Sequence, residues 1–96
     1  MIPEVIADII YDTRKKIDEL PETPKEETRK ILDGMTAVEL ATLQQKQSFL
    51  HASGKMPLEV AQFIYSLIGE GCSVERWKQQ HLADRCLAIG LLKQYE

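Results

Sequence analysis

The feature that most constrains this chain is the spacing of its apolar residues, which recur every three or four positions between proline and glycine breaks. A repeat near 3.6 residues gives an α-helix one apolar face. No segment shows a convincing alternation of apolar and polar residues with the period of a strand. The sequence therefore predicts an all-α protein. The clearest stripe contains Ile2, Val5, Ile6, Ile9, Ile10, Thr13, Ile17 and Leu20.

Local end signals divide the chain into five predicted helices. Thr23 is predicted to cap the second helix, and Gly34 is predicted to end it in a left-handed conformation. Thr36 and Glu39 have the spacing of a capping box at the start of the third helix, and Ser73 is predicted to cap the fifth. The predicted helices cover residues 3–20, 23–33, 36–53, 57–68 and 73–94, with Gly34 just after the second helix.

The connections between these helices are short, which favours a compact bundle of four to five helices with antiparallel neighbours. A chain of 96 residues fits a single domain, so we expect residues 1–96 to form one. Its fourth helix is apolar around more than half of its circumference and should be the most buried. The predicted core contains Ile6, Ile9, Ile10, Ile17, Ile31, Leu32, Phe49, Phe63, Ile64, Leu67, Trp77 and Ile89.

The charge distribution argues against a broad electrostatic contact with nucleic acid. The net charge is -3, and no segment is strongly basic. No secretion signal and no run of about 18 apolar residues is evident, so we expect a soluble, cytoplasmic protein without membrane contact. Two cysteines are too few for a disulfide framework.

Candidate catalytic or metal-binding residues are sparse. Cys72, His81 and Cys86 are the only soft ligands close in sequence. His81 and Cys86 are five residues apart, and residues five apart on a helix point about 140° away from each other, so these two cannot easily face one metal. The acidic face of residues 4–12 is explained by solvation and by nearby lysines. We therefore expect no catalytic residue, metal or cofactor; an enzyme or metal protein built on these groups is the third hypothesis.

The leading hypothesis is a non-enzymatic interaction module, such as an adaptor, inhibitor or regulator. The third helix has two apolar faces, and the end of the fifth helix is apolar on all sides. Each of these surfaces can belong to the core or can contact another protein or a second copy of this chain. The predicted interface residues are Leu40, Leu43, Leu50, Leu87, Leu91, Trp77, His81 and Arg85.

Trp77, His81 and Arg85 also have a structural interpretation. They follow one another at one-turn intervals near the apolar stripe of the fifth helix. A histidine there commonly bonds a backbone carbonyl, and a buried Arg85 would need a carboxylate partner. An interface is the alternative, because Trp and Arg are enriched in protein interfaces.

A DNA-binding regulator is the second functional hypothesis. Residues 57–94 could form a helix-turn-helix, with Arg76, Lys78, Gln79 and Gln80 near the start of the second helix. Arginine and glutamine can read base edges in the major groove. The turn between the helices is longer than the usual three to four residues, which weakens this interpretation.

Overall fold

A computed structural model describes residues 4–69 and 71–96 and shows six α-helices within them. The all-α class is confirmed, with one helix more than predicted. No strand occurs within these ranges. The predicted helix start at Pro3 and the side chains of Glu4 and Val5 lie outside the described part. The helices are α1 (Glu4–Asp18), α2 (Glu22–Asp33), α3 (Ala37–Ala52), α4 (Leu58–Ile68), α5 (Val74–Gln79) and α6 (Leu82–Gln94).

Polar caps begin two of these helices as predicted. The Thr36 hydroxyl accepts a hydrogen bond from the Glu39 N–H at 3.1 Å, and the Glu39 carboxylate accepts from the Thr36 N–H at 3.2 Å. The Ser73 hydroxyl accepts from the Arg76 N–H at 3.2 Å and caps α5. These bonds satisfy N–H groups that have no partner inside the helix.

The end of α3 is a Schellman motif around Gly54, which has φ +75°. The Gly54 N–H donates to the His51 carbonyl, and the Lys55 N–H donates to the Leu50 carbonyl, both at 3.1 Å. Glycine adopts this left-handed conformation without the steric cost that a Cβ brings. The motif reverses the chain between α3 and α4.

The predicted ends of α2 need two corrections. The helix begins at Glu22 with Pro21 as its N-cap, rather than at Thr23, because the fixed φ of Pro21 already suits a helix start. Gly34 has φ -76° and ψ -1°, so it is right-handed and simply extends the last turn.

The predicted fifth helix is in fact two helices. Gln80 and His81 have extended backbones, with ψ of 156° and 137°, and separate α5 from α6. The His81 Nδ1 accepts a hydrogen bond from the Ala83 N–H at 3.0 Å, so the imidazole caps α6. The sequence pattern missed this break because no proline or glycine marks it.

The helix α6 lies at the centre of the bundle and packs against α1, α3 and α4. The helices α3 and α4 pack against each other, and α2 packs against α5. The Cα radius of gyration is 13.2 Å, as expected for a compact chain of this length. None of the helices in the described ranges is long and apolar enough to cross a membrane.

Most of the predicted core is confirmed. Ile17 and Ile89 are partly buried against the core. Seven predicted residues are buried: Ile6, Ile10, Leu32, Phe63, Ile64, Leu67 and Trp77.

Three residues of the predicted core lie at the surface instead. Ile31 is 76% exposed, because α2 lies at the edge of the bundle and buries only the side that carries Leu32. Phe49 is 62% exposed, because α3 turns its other apolar side inward. Ile9 lies at the margin of the buried side of α1, at 37% exposure.

Two buried side chains of the α5–α6 region bind adjacent residues of α2. The Trp77 indole N–H donates to the Leu32 carbonyl at 3.0 Å, and Trp77 has no exposed surface. The Arg85 Nη1 donates to the Asp33 Oδ1 at 2.7 Å, which provides the carboxylate that a buried arginine requires. The Arg85 guanidinium also lies 6.0 Å from the centre of the Trp77 ring.

A second ion pair joins α1 to α6. The Arg14 Nε and Nη2 donate to the two carboxylate oxygens of Asp84 at 3.0 and 2.8 Å. The bond to Asp84 raises the pKa of the Arg14 guanidinium, against a smaller opposing effect of burial. The two parallel bonds between Arg14 and Asp84 fix how α1 lies against α6, in addition to pairing the two charges.

Replacing Gly54 with alanine should destabilise the protein by about 1 kcal/mol, because alanine must adopt a left-handed backbone there. No atom lies within 4 Å of the added Cβ, so the effect is purely conformational. Gly90→Ala is the matched control: this glycine lies inside α6 with equally open space, so alanine should stabilise by up to about 1 kcal/mol. Urea denaturation measures both changes, and the same sign for both would contradict the prediction.

Asp33→Ala should cost about 2–4 kcal/mol, because it leaves the Arg85 charge buried without a carboxylate. Asp18→Ala removes the same group from the last residue of α1, where the side chain is 67% exposed, and should change stability by less than about 0.5 kcal/mol. The double variant Asp33→Ala/Arg85→Met should recover part of the loss in urea denaturation. Equal effects of the two single variants would show that the Arg85–Asp33 pair is unimportant.

Candidate functional site

The leucines of the predicted interface lie inside the chain. Leu40, Leu50 and Leu91 are buried, and Leu43 and Leu87 are partly buried against the core. These five leucines therefore form no continuous exterior surface of the chain. The face of the third helix that carries Leu40, Leu43 and Leu50 is core, and the opposite apolar face, with Val38 and Phe49, is the exposed one.

Gln47 explains why the sequence pattern did not identify the inner face of α3. It occupies the core stripe between Leu43 and Leu50 and is 4% exposed. Its Nε2 donates to the Ala61 carbonyl of α4 at 3.3 Å, which satisfies a donor that would otherwise be buried without a partner. A polar residue in the stripe made the two faces of α3 look equivalent.

Trp77 and Arg85 are also internal, as the structural interpretation requires. Their bonds to α2 and their burial remove them from the exterior of the chain. His81 is exposed, and its Nε2 lies 3.7 Å from the Asp18 Oδ1. Of these three predicted interface residues, His81 alone lies on the outside.

Three of the candidate DNA-contacting residues occupy a helix of six residues, α5, and the fourth, Gln80, is its C-cap, so none of them lies at the start of a long recognition helix. Arg76, Lys78 and Gln79 are exposed there. The Gln80 Nε2 donates to the Leu67 carbonyl at 2.6 Å, so this amide holds the end of α4. The structure thus leaves three of the four side chains accessible, on a helix of fewer than two turns.

An open, mostly apolar groove of about 600 Å³ lies between α3 and α4. We call it the α3/α4 groove. Leu58 and Tyr65 stand along α4 and remain 56% and 54% exposed. The groove lining contains no aspartate, glutamate, lysine or arginine. The lining residues are Gln47, Ser48, His51, Ala52, Leu58, Ala61, Gln62 and Tyr65.

The α3/α4 groove has a defined length and depth. Leu58 and Tyr65 are seven residues apart on α4, which places them on one face about 10 Å apart along the axis. The small Ala52 and Ala61 leave the space between the helices open, and the buried Gln47–Ala61 hydrogen bond joins its two walls. The shape is that of a shallow channel beside two turns of helix.

Sequence reasoning missed this groove because it assigned Leu58, Ala61 and Tyr65 to the most buried helix. One signal was present: Leu58, Gln62 and Tyr65 follow the spacing i, i+4 and i+7, so they share one face. A polar glutamine between two large apolar residues indicates a face that solvent reaches.

The cysteines lack the environment of a nucleophile. Burial raises the pKa of the Cys72 thiol, with Arg76 acting in the opposite direction. Burial likewise raises the pKa of the Cys86 thiol, against a weaker opposing effect of Arg85. A reactive cysteine needs a lowered pKa, because the thiolate is the nucleophile.

No three metal-ligating side chains converge within residues 4–69 and 71–96. Asp84 and Asp33, which are carboxylates near the core, each accept hydrogen bonds from an arginine. The apolar α3/α4 groove is thus the strongest candidate site on the chain.

Alkylation of Cys72 and Cys86 by iodoacetamide at pH 7.5 should be slower than that of free cysteine, because a raised pKa lowers the thiolate fraction. The rates should rise with pH beyond the point where free cysteine levels off. Peptide mass spectrometry separates the two sites, with urea-unfolded protein as the control. A rate at either site above that of free cysteine would contradict the prediction.

Comparison of the chain with protein-family models, curated proteins and solved structures yields no match.

Proposed function

We propose that this protein is a non-enzymatic interaction module that binds an amphipathic helix of another protein in the α3/α4 groove. The observation that carries the proposal is the exposure of Leu58 and Tyr65, two turns apart, along an uncharged concavity of about 600 Å³. Helix-in-groove recognition uses apolar anchors at i, i+3 or i+4, and i+7. A partner helix with this spacing covers the same two turns.

The chemistry of the groove favours an apolar partner face. Its lining contains no aspartate, glutamate, lysine or arginine, so a charged partner residue placed inside would lose hydration without gaining an ion pair. Gln62, Ser48 and His51 offer polar contacts beside the apolar wall. These contacts suit a helix whose apolar stripe is flanked by uncharged polar residues.

A helix from another protein fits the groove better than a helix inserted from a second copy of this chain. Self-association through helix insertion would need a second described helix with large exposed apolar residues at the same spacing. Leu58 and Tyr65 are the one such pair within a described helix, and they already form the groove wall. On α3, the exposed Val38 and Phe49 are eleven residues apart, which exceeds the length of the groove face.

Two further observations support a non-enzymatic, cytoplasmic role. The raised pKa of both thiols disfavours a nucleophilic thiolate, and Asp33 and Asp84 are occupied by their pairing with arginines. Cys72 and Cys86 are both free thiols, which is the usual state in a reducing compartment.

Selection from a display library of random 16-residue peptides tests the proposal with the purified protein. We expect enriched peptides with three large apolar residues at i, i+3 or i+4, and i+7. Leu58→Glu should weaken their binding at least tenfold in fluorescence anisotropy, because burying a leucine contributes about 1.5–3 kcal/mol.

Val38→Glu is the matched control, because it also places a glutamate in the first turn of a helix at an exposed apolar position. It should leave peptide affinity unchanged. Peptides without helical spacing, or equal affinity for the Leu58→Glu variant, would overturn the proposal. Sedimentation showing a dimer that Leu58→Glu dissociates would replace the partner helix with a second copy.

A further inference from the structure

A cationic pocket of about 260 Å³ lies where α1 and α2 meet the junction of α5 and α6. It shares no lining residue with the α3/α4 groove. Four positively charged side chains line it: Lys25, Arg29, Lys78 and Arg85. Asp18 is the one carboxylate in its lining, on a chain whose net charge is -3.

Part of this positive charge is already paired. Arg29 forms an ion pair with Glu26, and Arg85 forms one with Asp33. Lys25 and Lys78 have no carboxylate within ion-pair distance in the described part of the chain. The Lys25 Nζ instead donates to the backbone carbonyl of Asp18 at 3.2 Å, which holds its charge beside the pocket. Two lysine charges are therefore available to a ligand.

Arg85 provides an independent sign that an acceptor is missing. The residue is 2% exposed, and its Nε is buried with no hydrogen-bond partner among the described residues. Asp33 accepts from Nη1 alone. A buried donor without an acceptor is costly, and the edge of a guanidinium that carries Nε matches an anion with two adjacent oxygens. Arg85 lines the pocket together with Gln80, whose Oε1 is an acceptor that is likewise buried without a partner among the described residues.

The first turn of α6 adds to the positive potential of this site. His81 and Leu82 line the pocket and begin a helix of 13 residues. The N-terminus of a helix carries a partial positive charge that favours anions. The His81 side chain uses its Nδ1 to accept the Ala83 N–H, so the cap itself is already satisfied.

We propose that this pocket binds a phosphate group, either as inorganic phosphate or as the monoester of a small molecule. Two unpaired lysines, the positive charge of Arg85 beside them and a helix N-terminus match a dianion with several acceptor oxygens. The volume is below the 300–1,000 Å³ typical of pockets for drug-sized ligands, so the attached group must be small. A partner helix in the α3/α4 groove and a phosphate here bind independently.

The test compares the wild type with Lys25→Ala/Lys78→Ala by calorimetric titration of inorganic phosphate, glycerol phosphate and a 12-nucleotide single-stranded DNA without terminal phosphate. Both lysines are at the surface, so the variant should fold. We expect saturable binding of phosphate or glycerol phosphate, weakened about tenfold or more by the double substitution. Tighter binding of glycerol phosphate identifies a monoester as the ligand, and tighter binding of inorganic phosphate identifies the free ion.

Lys55→Ala/Lys93→Ala removes the same charge away from the pocket and should keep the wild-type affinity. Nuclear magnetic resonance gives a second readout: the Arg85 Nε–H signal should shift with the same midpoint as the calorimetric titration. Absence of saturable binding, or equal weakening by both double variants, would overturn the proposal. Tighter binding of the DNA than of both small ligands would overturn it in favour of nucleic acid.

Discussion

The fold depends on the way two buried polar side chains, Trp77 and Arg85, reach neighbouring residues of α2. In one continuous helix their Cα atoms would lie about 12 Å apart along the axis. They bind the adjacent Leu32 and Asp33, and the guanidinium lies 6.0 Å from the indole ring. The break between α5 and α6 therefore brings them together. Leaving the Trp77 indole N–H or the Arg85 guanidinium buried without its partner would cost free energy. These two bonds therefore hold α2 in the bundle, although α2 buries little apolar surface.

The same arrangement decides which apolar surface remains outside. With α6 at the centre, α3 and α4 bury the sides that face α6 and each other. The helix α4 has more apolar surface than two neighbours can cover, so Leu58 and Tyr65 stay exposed beside the two small alanines of the groove. This exposed apolar surface is the physical basis of the proposed helix binding, because covering it with a partner lowers the free energy.

The two proposed sites use opposite chemistry and lie on different helices. The α3/α4 groove is uncharged and gains from desolvation, so its binding should depend weakly on salt. The cationic pocket gathers lysines and arginines from α2, α5 and α6 on an acidic chain, and its binding should fall as salt screens the charges. Neither site needs the thiols, whose raised pKa values disfavour nucleophilic chemistry.

The sequence by itself determined the helical class, the Thr36 and Ser73 caps and most of the core, because these follow from local bonds and from the 3.6-residue repeat. It did not determine which side of α3 faces inward, because Gln47 belongs to the core only once the Ala61 carbonyl is beside it. Nor did it show the break at Gln80 and His81, which is stabilised by contacts that Trp77 and Arg85 make with a distant helix. Both candidate sites lie between helices. Their positions depend on which helix faces meet, and only the tertiary structure determines that.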